Sequence, residues 1–213
     1  MKSQTSSLSR LLAGLIVAAG LIVLPALAVD QKPGAKPQSK PATAPQMSEQ
    51  EMMAAYAKYA NPGPEHEFLK SMVGSWKAVT KAWMSPGEPQ VSEGTSTRTL
   101  ILGGRFVMDE FKSTFMDQPF EGFGTTGYDL GKKEYVGTWS DTMGTGILMS
   151  RGKMDPSGKV MTMTGSYDDP VNGEKKTMRE ITKIVSPNQH VFEIWENQGG
   201  KDVKIMEITY TRQ

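Results

Sequence analysis

Hydrophobic positions change their period three times along the chain. Residues Leu11 to Leu24 form one unbroken apolar run. After a polar stretch, Met52, Met53, Tyr56 and Tyr59 recur at helical spacing, behind Ser48-Glu49-Gln50-Glu51, a sequence that reads as a capping box. Asn61-Pro62-Gly63-Pro64 stops that helix, because proline cannot donate the next backbone bond. A second short helical turn carries His66, Leu69, Lys70 and Val73 up to Gly74. Beyond Gly74 the helical period disappears. Turn signals follow at Ser85-Pro86-Gly87, Gly103-Gly104, Asp117-Gln118-Pro119, Asp129-Leu130-Gly131 and Thr142-Met143-Gly144. They continue at Asp155-Pro156-Ser157-Gly158, Pro170-Val171-Asn172-Gly173, Ser186-Pro187-Asn188 and Asn197-Gln198-Gly199-Gly200. Nine turns imply ten strands joined as consecutive hairpins. No helical stretch interrupts them, so parallel crossover units are excluded. Such a series exposes two sheet edges unless it closes, and closure gives an up-and-down antiparallel barrel. The predicted fold is all-β: a ten-stranded barrel over 74–213, entered through a helical segment at 48–73 whose short last turn plugs one end.

The predicted strands do not alternate cleanly between apolar and polar. From Gly146 to Met154, one face carries Ile147, Met149, Arg151 and Lys153, and the other Leu148, Ser150 and Gly152. From Lys201 to Arg212, Val203, Ile205 and Glu207 alternate with Met206, Ile208 and Tyr210. Mixed faces suit a barrel with a partly polar lumen and a solvated outside.

The segment ahead of the helices has a different character. Lys2 and Arg10, the apolar run and the ending Pro25-Ala26-Leu27-Ala28 make residues 1–28 a signal peptide by pattern. The run is shorter than the roughly 20 residues a membrane span needs, so no transmembrane anchor is expected after cleavage. Export to a bacterial periplasm follows. Residues 29–47 place Pro33, Pro37, Pro41 and Pro45 at every fourth position among Lys, Gln, Ala and Ser, the composition of a flexible linker.

Composition narrows the chemistry. There is no cysteine, which excludes disulfides, thiolate metal sites and cysteine nucleophiles. Without Lys2 and Arg10 the chain has 22 basic residues against 23 acidic ones, so no basic field speaks for nucleic acid.

A set of ordered blocks identifies a likeness. Pro62-Gly63-Pro64-Glu65-His66, Gly74-Ser75-Trp76 and Leu102-Gly103-Gly104-Arg105-Phe106 come first. Phe120-Glu121-Gly122, Gly127-Tyr128-Asp129, Thr138-Trp139-Ser140-Asp141 and Tyr210-Thr211-Arg212 follow. Together, over about Pro62 to Gln213, they resemble the bacterial family called domain of unknown function 1579. The resemblance implies a lipocalin-like (calycin) barrel, similar to fatty-acid-binding proteins and nitrobindins, with Trp76 beside Gly74 as the structural tryptophan of the closed end. It implies no activity and transfers no catalytic residue.

Several motifs bear on chemistry. Gly122-Phe123-Gly124-Thr125-Thr126-Gly127 spells the dinucleotide fingerprint, but a hairpin turn follows where the mechanism needs a helix N-terminus, so these glycines are expected to serve packing. His66-Glu67-Phe68-Leu69-Lys70 lacks the second histidine of a zinc-protease helix, and His66 reads as a cap or packing residue. No G-x-S-x-G elbow is present, and adjacent Asp109 and Glu110 must point to opposite faces, so no catalytic site is assigned. His190 reads first as a surface residue at a turn end; it is also the one strand imidazole available to haem. Met161 and Met163 place two thioethers on one face, a soft pair suited to Cu(I) or, more simply, to an adaptable apolar interior. No cofactor is called for.

The reading is a non-catalytic barrel that holds a small apolar or amphipathic molecule. Arg105, Tyr128, Trp139, Asp141, Arg151, Arg179 and Tyr210 are the candidate ligand contacts, and buried arginine would favour an amphipathic anion such as a fatty acid. A structural or protein-interaction module of the envelope is the alternative, and a haem- or copper-binding protein the third; ligand and oligomeric state stay open.

Overall fold

The computed structural model describes residues 47–213. The signal-peptide and linker readings at 1–28 and 29–47 therefore lie outside the described residues, apart from exposed Met47. Helix α1 spans Glu49–Ala60 and α2 spans Glu65–Ser71. Ten strands follow: β1 Gly74–Ala82, β2 Gln90–Ile101, β3 Phe106–Phe115, β4 Gln118–Asp129, β5 Glu134–Asp141, β6 Leu148–Met154, β7 Val160–Asp168, β8 Lys175–Ser186, β9 Gln189–Gln198 and β10 Lys201–Arg212. Each pairs antiparallel with its sequence neighbours, and β10 returns to β1 with Tyr210 opposite Ala78, closing the barrel. The hairpin turns fall where the Gly, Pro, Asn and Asp clusters predict them.

The capping box forms as read. The Ser48 hydroxyl accepts from the Glu51 amide at 3.2 Å, and the Ser48 amide donates to the Glu51 carboxylate at 2.8 Å. Even so, α1 buries none of its residues, and Met52, Met53, Tyr56 and Tyr59 stay exposed. The plug is α2. Its Leu69 is fully buried against Val107, Tyr135, Met161 and Met163, and the Gly63 amide donates to Nδ1 of buried His66 at 3.0 Å, fixing the entry to the helix. No helix among the described residues is long and apolar enough to cross a membrane.

Trp76 locks the same end. Its indole N–H donates to the Met72 carbonyl at 3.0 Å, and the Arg212 guanidinium lies 4.1 Å above its ring. Arg212 also donates to the carbonyls of Val73 at 2.7 Å and Ser71 at 2.9 Å. Gly74 is required beneath it. Its φ is +133°, and a Cβ there would stand 2.5 Å from Arg212 Nη1.

Register settles which faces look inward. Directly opposed residues of an antiparallel pair point the same way. From Trp76 inward the pairings carry Ala78, Arg98, Asp109, Gly124, Trp139, Ser150, Met163, Glu180, His190 and Tyr210 into the barrel. On β6 this buries Ser150 and leaves Met149 facing solvent. The mixed faces anticipated from the sequence are thus real: the inner face of β6 carries Leu148, Ser150, Gly152 and Met154, and the outer one Met149, Arg151 and Lys153.

Candidate functional site

The inward side chains do not fill the barrel. A cavity of about 850 Å³ opens away from the α2 plug. Its walls are carried by Phe111, Phe120, Trp139, Met178, Phe192 and Ile208. Met143 and Ile147, from the β5–β6 loop, line its mouth. Trp139 is set by two features of its neighbours. Its indole N–H donates to Asp141 at 2.8 Å, and the same carboxylate accepts from the Met143 amide at 2.9 Å, tying the ring to the mouth loop. The ring lies flat on β4, where a Cβ on Gly122 would come within 2.1 Å of it and one on Gly124 within 2.9 Å. The apparent nucleotide fingerprint is therefore a bed for an aromatic side chain. Its third glycine, Gly127, serves the opposite face, where a Cβ would meet the Phe106 ring at 2.3 Å.

The deep end of the cavity is polar and fully interlocked. Arg98 on β2 donates through Nε to Asp109 at 2.9 Å and through Nη1 to His190 Nε2 at 2.7 Å. Ser96 donates to the other Asp109 oxygen at 2.7 Å. Arg98 also stacks on the Tyr210 ring, 4.4 Å from its centroid. Because arginine only donates, Nε2 must accept, and the imidazole is neutral. Burial, reinforced by the guanidinium groups of Arg98 and Arg212, pushes the His190 pKa down to about 3. The ring is stacked on Tyr210 with centroids 4.6 Å apart and meets Trp76 edge-on at 4.6 Å. Burial raises the Tyr210 phenol, so it stays protonated.

One ionisable group on the wall stands apart from this cluster. Glu180 on β8 faces the cavity between Met163 and Ile194 and accepts a single hydrogen bond, from Ser150 Oγ at 2.9 Å. Burial raises its pKa, partly opposed by that bond.

The candidates named from sequence separate by strand parity. Trp139, Asp141 and Tyr210 line the cavity. Tyr128 faces inward below it, packed against His66 at 6.1 Å and Tyr135 at 5.0 Å in the closed-end core. The three arginines do not reach the lumen. Arg151 pairs with Glu134 at 2.9 Å, and Arg179 with Asp202 at 2.9 Å while covering Trp195, both on the outer face. Arg105 lies in the turn between β2 and β3 and donates to the carbonyls of Leu102 and Ala60, outside the closed end. The arginine that does enter is Arg98, opposite Gly74 on the strand beside Trp76.

His190 is also corrected: it is 6% exposed and faces the lumen rather than the surface. Its Nε2 is engaged by Arg98, so that nitrogen is closed to a haem iron. Met161 and Met163 are buried in the Leu69 cluster beside Met154, as packing groups. Among the described residues, no group of three or more His, Asp or Glu side chains is placed to hold a metal ion.

Comparison with known proteins agrees with this architecture. The crystal structure of Rv2717c from M. tuberculosis superposes with a TM-score of 0.54 at 12% identity, over 72% of this chain and 99% of that one. An S-type phycobiliprotein lyase, CPES from Guillardia theta, gives 0.51 at 12% identity, over 71% and 98%. At such identities the likeness is one of fold. A search of curated proteins finds no match. The family model described as "Protein of unknown function (DUF1579)" matches residues 61–212, from the end of α1 through β10, and the chain belongs to that family.

Proposed function

We propose that this protein is an exported, non-catalytic barrel that holds a small apolar or amphipathic molecule in its lumen. The observation that carries the reading is the cavity: about 850 Å³, walled by aromatic, methionine and isoleucine side chains, with a few fixed polar groups. That volume and lining lie within the range of small-molecule sites, about 300–1,000 Å³. The polar groups at its deep end are hydrogen-bonded to one another. They give a fixed floor rather than a nucleophile with a base beside it. Export to the periplasm is supported by the signal pattern at 1–28, with the Pro-rich segment as a spacer.

Native mass spectrometry of the protein purified from its own cell envelope tests this, with denaturing analysis of whatever travels with it. A reproducible small-molecule adduct, displaced by an apolar dye, is the expected result. A clean apo mass combined with no dye uptake would overturn the proposal and leave an interaction module of the envelope.

A further inference from the structure

The charged groups of the lumen are mostly carboxylates, the reverse of what an anionic ligand needs. Four carboxylates line the cavity, Asp109, Asp141, Asp168 and Glu180, against the single guanidinium of Arg98. Arg98 is already matched by Asp109 and by the neutral ring of His190. Asp141 is held by the Trp139 indole and the Met143 amide. Asp168 is exposed at the rim, in register with Lys175. The nearby Lys176 is bonded to Asp169. That leaves Glu180. It sits at mid-height on the wall, one oxygen accepts from Ser150, and among the described residues no cation forms an ion pair with it.

We infer that the barrel is selective for an amphipathic cation, an amine with an apolar body, whose ammonium group is bound by the Glu180 carboxylate. The inference rests on the carrier reading above and names its ligand class. A protonated amine supplies what Glu180 lacks: a positive charge and more than one N–H donor, at a carboxylate with acceptor capacity to spare. The walls suit the remainder of such a molecule. Met163, Met178 and Ile194 flank Glu180 on the wall, and Phe111, Phe120 and Trp139 line the same cavity as apolar cover for an alkyl or aromatic body. An anionic head group meets the opposite situation. It finds carboxylates on several sides and no uncommitted cation, so it must either stay at the mouth or displace Asp109 from Arg98.

Three chain-matched probes separate these cases: octylammonium chloride, 1-octanol and sodium octanoate, titrated calorimetrically into the purified protein at neutral pH. The expected order is octylammonium first, tighter than octanol by roughly tenfold, the worth of one charge-assisted hydrogen bond, with octanoate weakest. Glu180→Gln keeps the acceptor for Ser150 and removes the charge, so octylammonium should fall to the level of octanol while octanol binding is unchanged. Retained octanol binding also shows that the variant is folded, and the wild-type order is informative without any variant. Octanoate binding as tightly as octylammonium overturns the inference. So does an ammonium-to-alcohol ratio that survives Glu180→Gln. Failure of all three probes with intact near-ultraviolet dichroism removes the carrier reading itself.

Discussion

Acid should unfold this barrel through His190, and the contribution of that one residue can be isolated. In the native state its ring is buried, stacked on Tyr210, and obliged to accept from Arg98 at 2.7 Å. A proton on Nε2 would break that bond and set two cations side by side, which is why the folded pKa falls to about 3. In the unfolded chain the imidazole titrates near its ordinary value of about 6.5. Between those values the unfolded state binds a proton that the native state refuses. The stability is therefore fully present above about pH 6.5 and is lost as the pH falls toward about 3, by up to about 1.4 kcal/mol per pH unit. Over the whole window this approaches about 5 kcal/mol, a large share of the roughly 5–15 kcal/mol that holds an ordinary domain together.

The variant to compare is His190→Gln, whose amide oxygen can still accept from Arg98 but cannot titrate. Urea unfolding of both proteins, from neutral pH to about 4.5, gives the difference directly. Titrations common to the two cancel. Wild type should lose about 2 kcal/mol more than the variant between pH 6.5 and about 4.5. Parallel stability curves would refute the argument, since they would mean that the native ring accepts a proton as readily as the unfolded one.

Other substitutions test the packing that shapes the site. Gly122→Ala places a methyl 2.1 Å from the Trp139 ring; it should cost about 1–3 kcal/mol and shift tryptophan emission, and an unchanged melting temperature would show that the indole is not pinned there. Arg212→Leu removes the cover over Trp76 and the donors to Val73 and Ser71, a loss of about 2–3 kcal/mol read in thermal melts. Ser48→Ala should lower helical protection of the α1 amides in hydrogen exchange by about 1 kcal/mol and leave the melting of the barrel unchanged, because α1 buries nothing.

The strand count was legible because hairpins announce themselves at their turns, where Gly, Pro, Asn and Asp satisfy backbone angles that other residues resist. The inward face was not, and the reason is register. Counting back from the β9–β10 turn pairs Gln198 with Lys201, and the same count would set His190 opposite Thr209. A bulge between Lys204 and Met206 shifts the pairing by one, so that His190 faces Tyr210 and both enter the lumen. A shift of one residue exchanges the two faces of a strand, and nothing in the local sequence marks it. The strand arginines also needed the register, although no bulge intervenes in the pairings that place them. Arg98, Arg151 and Arg179 are equivalent as residue types in predicted strands, and only the chain of pairings from Trp76 separates the first from the others.

Glycine shows how a strong signal can be present and still be misassigned by its letters. The spacing Gly122, Gly124, Gly127 matches a phosphate loop, yet two of these positions point inward and carry the weight of an indole, and the third faces outward beneath Phe106. The same device recurs along the neighbouring strands: Gly137 lies against the Met163 methyl and Ser150, and Gly152 packs on the β7 backbone where any Cβ would come within 1.9 Å. Closing ten strands gives a barrel wider than one layer of side chains can fill. Where the inner position is glycine, a large neighbour can lie along the wall instead of projecting across the lumen. The glycines of β4 to β6 are thus part of the reason a cavity exists beside Glu180, and filling one of them should narrow the site as well as strain the sheet.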